Sequence, residues 1–361
     1  MATVKIAVAG VGNCASSLLQ GLEHYRDRPA DGHNGLMHRA IGGYRVADIT
    51  PVAAFDIDRR KVGRPLHEAA FAPPNCTAVF EPDLPDWGVT VQMSPVLDGR
   101  ADHLDQYSES DAPQAADARP VDLVAALRDS GAEVLLCYLP VGSERAVRAY
   151  ADACLSAGVA MVNCVPVFLA SDEEYAGRFR AAGVPIVGDD IKSQFGATIV
   201  HRQLMRTLRD RGIQPSRTYQ LNVGGNTDFM NMLARSRLAS KKQSKTEAVQ
   251  SQLDVPLDDR AIHVGPSDYV PWMKDNKVAY VRIEWAGFGG VPMNVELRLS
   301  VEDSPNSAGI AIDALRYAKV ALDRGLSGPL EAASAYLMKR PPRQMRDDAA
   351  RLALREFIDG E

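Results

Sequence analysis

The sequence predicts an α/β fold, a doubly wound parallel sheet interrupted by an inserted α+β unit with an antiparallel sheet. Residues 1–200 alternate short, continuous apolar runs with amphipathic stretches, the pattern of βαβ units whose strands are covered on both faces. From about Thr218 the runs instead alternate apolar and polar residues, as antiparallel strands covered on one face do. A strongly amphipathic helix after residue 303 returns to the first style. The expected organisation is therefore one domain from 1–200 with 303–361, and an inserted catalytic and oligomerisation domain at 201–302.

The elements follow in order. Residues 4–9 form an apolar strand, Gly10 to Asn13 a turn, and 14–25 a helix with Leu18, Leu19 and Leu22 on one face. Further buried strands are expected at 51–55, ending at Asp56, and at 134–139, ending in Pro140-Val141-Gly142-Ser143. Two more run over 160–162, ending at Asn163, and 184–187, ending in Gly188-Asp189-Asp190. All stop at small or polar residues, where an open α/β sheet holds its ligands. Two insertions, 23–48 and 100–119, break the rhythm, and the second reads as a surface loop. In the inserted unit, strands are expected at 219–223, 278–285 and 292–301. A helix carrying 230–245 and a loop rich in proline and charge lie between the first two. Asp303-Ser304-Pro305-Asn306-Ser307 caps a helix over 308–324, which Gly325 ends.

Composition narrows the function. The 361 residues are 46% hydrophobic and 24% charged, with a formal charge of −5 that argues against nucleic-acid or anionic-membrane partners. No apolar stretch approaches the ~20 residues needed to span a bilayer. The N-terminal residues enter a strand at once, without the pattern of a signal peptide. Five cysteines (Cys14, Cys76, Cys137, Cys154, Cys164) show no CxxC pair or zinc-ligand spacing, so they read as reduced thiols of a cytoplasmic protein.

Gly10-Val11-Gly12-Asn13-Cys14-Ala15 fits the GxGxxA turn of a Rossmann-type domain. The first glycine permits the turn, the second lets backbone approach a pyrophosphate, and the following helix N-terminus offers oriented N–H groups. Asp56, at the second strand end, suits the adenosine ribose and would repel a 2′-phosphate, which favours NAD over NADP. Asp58 is an alternative for that role, and the neighbouring Arg59 and Arg60 weaken the preference. Pro140, Gly142 and Asn163, at later strand ends, join the cofactor-binding set.

A second set of residues is basic. Lys241 and Lys245 lie four apart on one helix face; taken alone they read as a solvated basic face, and Lys277 and Lys339 as surface lysines. Gly188-Asp189-Asp190-Ile191-Lys192-Ser193 sits at a strand end facing the expected nicotinamide, so Asp190 and Lys192 are candidates. The run Asn222-Val223-Gly224-Gly225-Asn226-Thr227-Asp228 offers amides and a carboxylate for hydroxyls, or is simply a turn. Asp275 lies close by in sequence to Lys277.

Several of these runs resemble the myo-inositol-phosphate synthase family in its shorter bacterial form. The matching segments are 8–17 (VAGVGNCASS), 138–143 (YLPVGS), 188–193 (GDDIKS), 221–228 (LNVGGNTD), 240–245 (SKKQSK), 275–279 (DNKVA), 302–309 (EDSPNSAG) and 334–341 (SAYLMKRP). The extra glycine and N-terminal extension of longer members are lacking. The resemblance implies conversion of glucose 6-phosphate to 1D-myo-inositol 3-phosphate, with NAD oxidising C5, enolisation at C6, attack of C6 on the C1 aldehyde, and return of the hydride. It implies that Lys241 and Lys245 contact substrate oxygens, that Lys277 and Lys339 polarise the reacting carbonyls, and that Asp190 orients Lys277 or Lys339 and lies against the cofactor. Asn222, Asn226, Asp228, Lys192 and Asp275 would hold substrate. Asp303 and Ala308 would approach NAD, with Asp303 and Ser304 admitting a divalent or monovalent cation. A homotetramer assembled through the second sheet is implied as well. Two rivals stand beside this reading. One is a net dehydrogenase of the dihydrodipicolinate-reductase or homoserine-dehydrogenase type; the other is a non-catalytic NAD sensor.

Overall fold

The computed structural model describes residues 3–28 and 34–360, without the side chain of Ser267. Met1, Ala2, residues 29–33 of the first insertion and Glu361 lie outside the described residues, and with Met1 and Ala2 the start of the run expected to lack a signal-peptide pattern. Val4–Ala9 (β1) passes through the glycine turn into Asn13–His24 (α1). Ala40–Ile41 (β2) and Tyr44–Arg45 (β3) make a small hairpin inside the insertion. Then come Ile49–Asp56 (β4), Leu66–Ala69 (α2), Val91–Met93 (β5), Leu123–Ser130 (α3), Val134–Cys137 (β6) and Glu144–Ala157 (α4). Ala160–Asn163 (β7), Glu173–Ala181 (α5), Pro185–Val187 (β8) and Ala197–Asp210 (α6) follow. Next are Pro215–Gly224 (β9), Thr227–Asn231 (α7), Ala239–Gln250 (α8), Ile262–Tyr269 (β10), Asn276–Ala286 (β11) and Pro292–Glu302 (β12). Pro305–Asp323 (α9), Gly328–Pro329 (β13), Glu331–Leu337 (α10) and Asp347–Asp359 (α11) complete the chain.

Seven strands form an all-parallel sheet in the order β13-β8-β7-β6-β1-β4-β5. The period-two geometry of β1 sends Val4, Ile6 and Val8 into a core with Leu18, Leu19 and α9, and Ala7 and Ala9 into a second core with Leu127, Tyr150 and Phe179. Both faces are thus covered, which explains the unbroken apolar runs. From β1 the chain winds one way to β4 and β5, then crosses back to β6 on the other side of β1. The switch point therefore falls between β1 and β6.

The second sheet, β10-β9-β11-β12, is mixed rather than wholly antiparallel, because β10 runs parallel to β9. Parallel neighbours need a crossover, and α7 and α8 supply it. Strand β10 was expected to be loop, since Gly265, Pro266 and Asp268 interrupt its apolar pattern. The single helix expected over 230–245 is two, separated by a 3-10 turn at Arg235–Arg237. Met205 of α6 and Val249 of α8 pack on Val264, Val281 and Ile283, closing one face of this sheet. On β12 nearly every other residue is exposed.

Two further expectations change. Helix α9, expected to be strongly amphipathic, shows no exposed face over most of its length: Ser307 through Ala321 are buried without a break. Its buried ion pair is tied to the segment that covers it. Arg316 donates to the carbonyls of His38, Arg39 and Tyr44 and pairs with Asp313, which also meets His38 Nδ1 at 2.7 Å. The segment around β2 and β3 therefore covers what would have been the helix's wet side. Ser304 makes no side-chain cap; Pro305 opens the helix, where a missing N–H is harmless. The 100–119 stretch also does more than line the surface, since Ala101, Leu104 and Ala112 are buried against Met230.

Candidate active site

A cleft of about 1900 Å³, including the solvent at its mouth, opens outside the carboxyl ends of β1 and β6 and runs on to the second sheet. Both sets of sequence candidates meet in it.

The dinucleotide half is made largely of backbone. Gly10 has φ +90°, and a Cβ there would lie 2.8 Å from the Tyr138 carbonyl oxygen, so only glycine fits. A Cβ on Gly12 would meet nothing within 4 Å, which leaves clear space above the N-terminus of α1. This cradle and helix end fit a dinucleotide diphosphate. Asp56 accepts from the N–H groups of Val11 (2.7 Å), Ile57 (2.7 Å) and Asp58 (2.8 Å) and lines the cleft. Asp58 is spent on Arg60, which grips it through two nitrogens, and Arg59 pairs with Glu109. Neither arginine is therefore free to favour a 2′-phosphate, and Asp56 is the better ribose candidate. Asn13 Oδ1 accepts from Cys76 N at 2.7 Å, which fastens the loop beyond the turn, and Asn13, Cys14 and Pro140 line the wall. Burial pushes the Cys14 thiol up to about 12.

The other half is a largely buried lysine cluster, not a solvated face. Asp190 lies between the lysines at its centre. Its carboxylate accepts from Lys241 Nζ (3.1 Å), Lys339 Nζ (2.9 Å) and Ser244 Oγ (2.7 Å). Its backbone oxygen accepts from Lys339 N at 2.7 Å, and its φ is +62°. Burial alone would raise this carboxyl; Lys241, Lys339 and Ser244 outweigh that and hold it down at about 2. Burial lowers Lys241, but Asp190 and Asp228 overcome it and the net shift is upward. For Lys339, burial and the like charges of Lys241 and Lys277 win over Asp190 and bring it to about 8. Lys277 reaches in from β11 and pairs with Asp303 rather than Asp190. That pairing outweighs burial and lowers the Asp303 carboxyl. Burial raises Asp228 despite Lys241.

Lys245 differs from its neighbours. It is buried, one helical turn beyond Lys241, and lines the cleft. Among the described residues no acceptor or carboxylate takes its Nζ. Burial and the charges of Lys241, Lys277 and Lys339 drive it well below the usual lysine range. An anion entering the cleft would offset both penalties.

Asn222 and Asn226 also line the cleft. Asn222 donates to Gly265 O at 2.7 Å, and Asn226 caps α7 by accepting from Asp228 N at 3.0 Å. Five candidates point elsewhere. Lys192 donates its buried ammonium to the carbonyls of Ala335 (2.8 Å) and Tyr336 (3.1 Å). Asp275 is occupied by Asn226 Nδ2 (2.9 Å) and by the hydroxyl (2.8 Å) and N–H of Ser304, so it braces the site from behind. Asn163 ties Val167 O and Asp189. Gly142 is required by Arg237, whose Cβ would lie 2.6 Å from an added Cβ. Ala308 is buried in α9, and Ser307 reaches the cleft instead. Asp303 and Ser304 are engaged by Lys277 and Asp275, and no group of three or more His, Cys, Asp or Glu among the described residues could hold a metal ion.

Sequence reasoning missed Ser244, Lys61 and Asn75. Ser244 stands three residues after Lys241, a spacing that signals a shared helix face. Lys61 was obscured by Arg59 and Arg60.

Fold and cleft together define a Rossmann-type α/β protein with a second sheet that closes a cationic site against the first. The family model described as myo-inositol-1-phosphate synthase matches residues 196–304. Inositol-3-phosphate synthase from Corynebacterium glutamicum is 55% identical over 362 residues, covering 99% of this chain and 98% of that protein. The Mycolicibacterium smegmatis protein of the same name is 54% identical over 364 residues, with 99% and 98% covered. The crystal structure of Ari2 superposes with a TM-score of 0.78 at 36% identity, over 99% of each chain. That of inositol-3-phosphate synthase from Caenorhabditis elegans, 16% identical over 99% of this chain and 85% of its own, shares the fold at a TM-score of 0.76. The chain belongs to the inositol-3-phosphate synthase family.

Proposed function

We propose that this chain isomerises D-glucose 6-phosphate to 1D-myo-inositol 3-phosphate, using NAD held at the glycine turn. The supporting observation is the meeting of that turn and four lysines in one cleft, two of them buried and one, Lys245, without a carboxylate partner among the described residues. NAD supplies a reversible hydride acceptor for C5, so no net redox change results. The protein's own groups do the rest. Lys241, Lys339 and Lys277, positioned by Asp190 and Asp303, stabilise negative charge developing on the C5 and C1 oxygens. Lys245 takes the substrate's anionic charge, while Asn222, Asn226 and Asp228 face its hydroxyls. Burial brings Lys339 within reach of proton transfer near neutral pH.

In the same reading, residues 1–200 with 303–361 serve the cofactor, and 201–302 serve catalysis and a tetramer. Exposed Tyr280 and Met293 on the second sheet, with Phe288 in the turn joining β11 to β12, support that assembly. The test is phosphorus NMR of the protein with glucose 6-phosphate and a trace of NAD, with NADH absorbance followed in parallel. Inositol phosphate formed in excess of the NAD supplied, without steady NADH growth, is the expected result. Steady NADH growth would mark a net dehydrogenase instead.

A further inference from the structure

Lys61 follows β4 and is 3% exposed, yet among the described residues no carboxylate pairs with it. Its Nζ donates to Val11 O at 2.8 Å and to Asn75 Oδ1 at 2.9 Å. Asn75 Nδ2 donates to the same Val11 oxygen at 3.1 Å, and Asp56 accepts from Val11 N at 2.7 Å. The residue between the two glycines is therefore held at its N–H by an acid and at its carbonyl by a buried ammonium. The charged groups facing Lys61 are Asp56, Asp58 and Arg60. Asp56 is engaged by three backbone N–H groups and Asp58 by Arg60, so neither neutralises the lysine directly. Burial, seconded by Arg60, lowers its affinity for a proton despite the two acids.

A buried ammonium with only neutral acceptors is costly. Two of its three N–H groups are used, and Lys61 lines the same cleft as Gly10 and Gly12. The turn Gly10-Val11-Gly12-Asn13-Cys14 contains no basic side chain. Arg100, also on that wall, is paired with Asp105 at 2.6 Å. The helix end alone contributes only about half a positive charge. We propose that Lys61 is a further cofactor-recognition residue, which fixes the Val11 carbonyl and supplies the positive charge that a dinucleotide's diphosphate completes. This rests on reading the cleft as a dinucleotide site.

The experiment is calorimetric titration of NAD, ADP and adenosine into the full chain and into K61M, K61Q and K61R. K61Q retains a donor for Val11 O without the charge, so it separates the grip from the electrostatics. Expected is a loss of about tenfold or more in NAD and ADP affinity for K61M and K61Q, with adenosine changed by less than about threefold. K61R should stay nearer the parent, because it keeps the charge. Affinities for ADP within about twofold of the parent in K61Q, or equal losses for adenosine and ADP, would overturn the proposal. A parent chain that binds neither NAD nor ADP would overturn the dinucleotide reading itself.

Discussion

The dinucleotide half of the cleft is built mostly from backbone groups clustered in the first turn, whereas the lysine half is built from side chains that converge from separate elements. In the first, Asp56 is satisfied by three N–H groups and the glycines supply space. In the second, four ammonium groups share a small volume with Asp190, Asp303 and Asp228, and Lys245 is left over. Space tolerates a missing side chain and charge does not. The two halves should therefore fail differently when altered.

The largest effect is expected from Lys277→Ala. In the proposed reaction this charge faces a reacting oxygen, so its removal should lower kcat by about a thousandfold, while NAD affinity measured by calorimetry stays near the parent value. Loss of NAD binding alongside turnover would erase the distinction between the halves. Gly12→Ala should do the reverse. The added methyl meets nothing in the protein, so stability should change by under about 1 kcal/mol. It would stand where a diphosphate must approach, and NAD affinity should fall by about tenfold or more.

Lys245→Met sharpens the contrast in stability. Replacing an unpartnered buried ammonium with an apolar chain should raise the unfolding free energy by about 1 to 2 kcal/mol in denaturant titrations while turnover collapses. Destabilisation would mean that Lys245 has a partner in solution. The smallest effect concerns pH. Lys339 sits near 8, and its ammonium, the form that stabilises an oxyanion, is present below that value. kcat/KM should thus fall as pH rises through about 8, and Lys339→Arg should move that limb upward, since arginine keeps its proton.

The same contrast explains what could be read in advance. The parallel strands announce themselves because both faces are buried, and the glycine turn because its spacing is local. Strand β10 hides behind Gly265 and Pro266. The burial of α9 depends on a distant segment that covers Asp313 and Arg316. The lysine cluster was legible only through family resemblance, since nothing local brings residues 190, 241, 277 and 339 together. Within a motif, adjacency misled. Lys192 is two residues from Asp190, yet its ammonium is taken by carbonyls at the end of α10. Asp275 is two residues from Lys277 but braces Ser304 and Asn226.

Position 190 leaves little room for neutral drift. Its backbone is left-handed, a conformation that asparagine, aspartate and glycine enter far more readily than other residues. Its side chain must also carry a negative charge short enough to meet Lys241, Lys339 and Ser244 at once. Asparagine keeps the conformation and loses the charge. Glutamate keeps the charge but adds a methylene and enters the left-handed region less easily. Glycine relaxes the backbone and removes the shared partner of Lys241 and Lys339. Each mutational step away from aspartate meets one demand by abandoning the other, so changes elsewhere in the cleft must accumulate around this residue rather than through it.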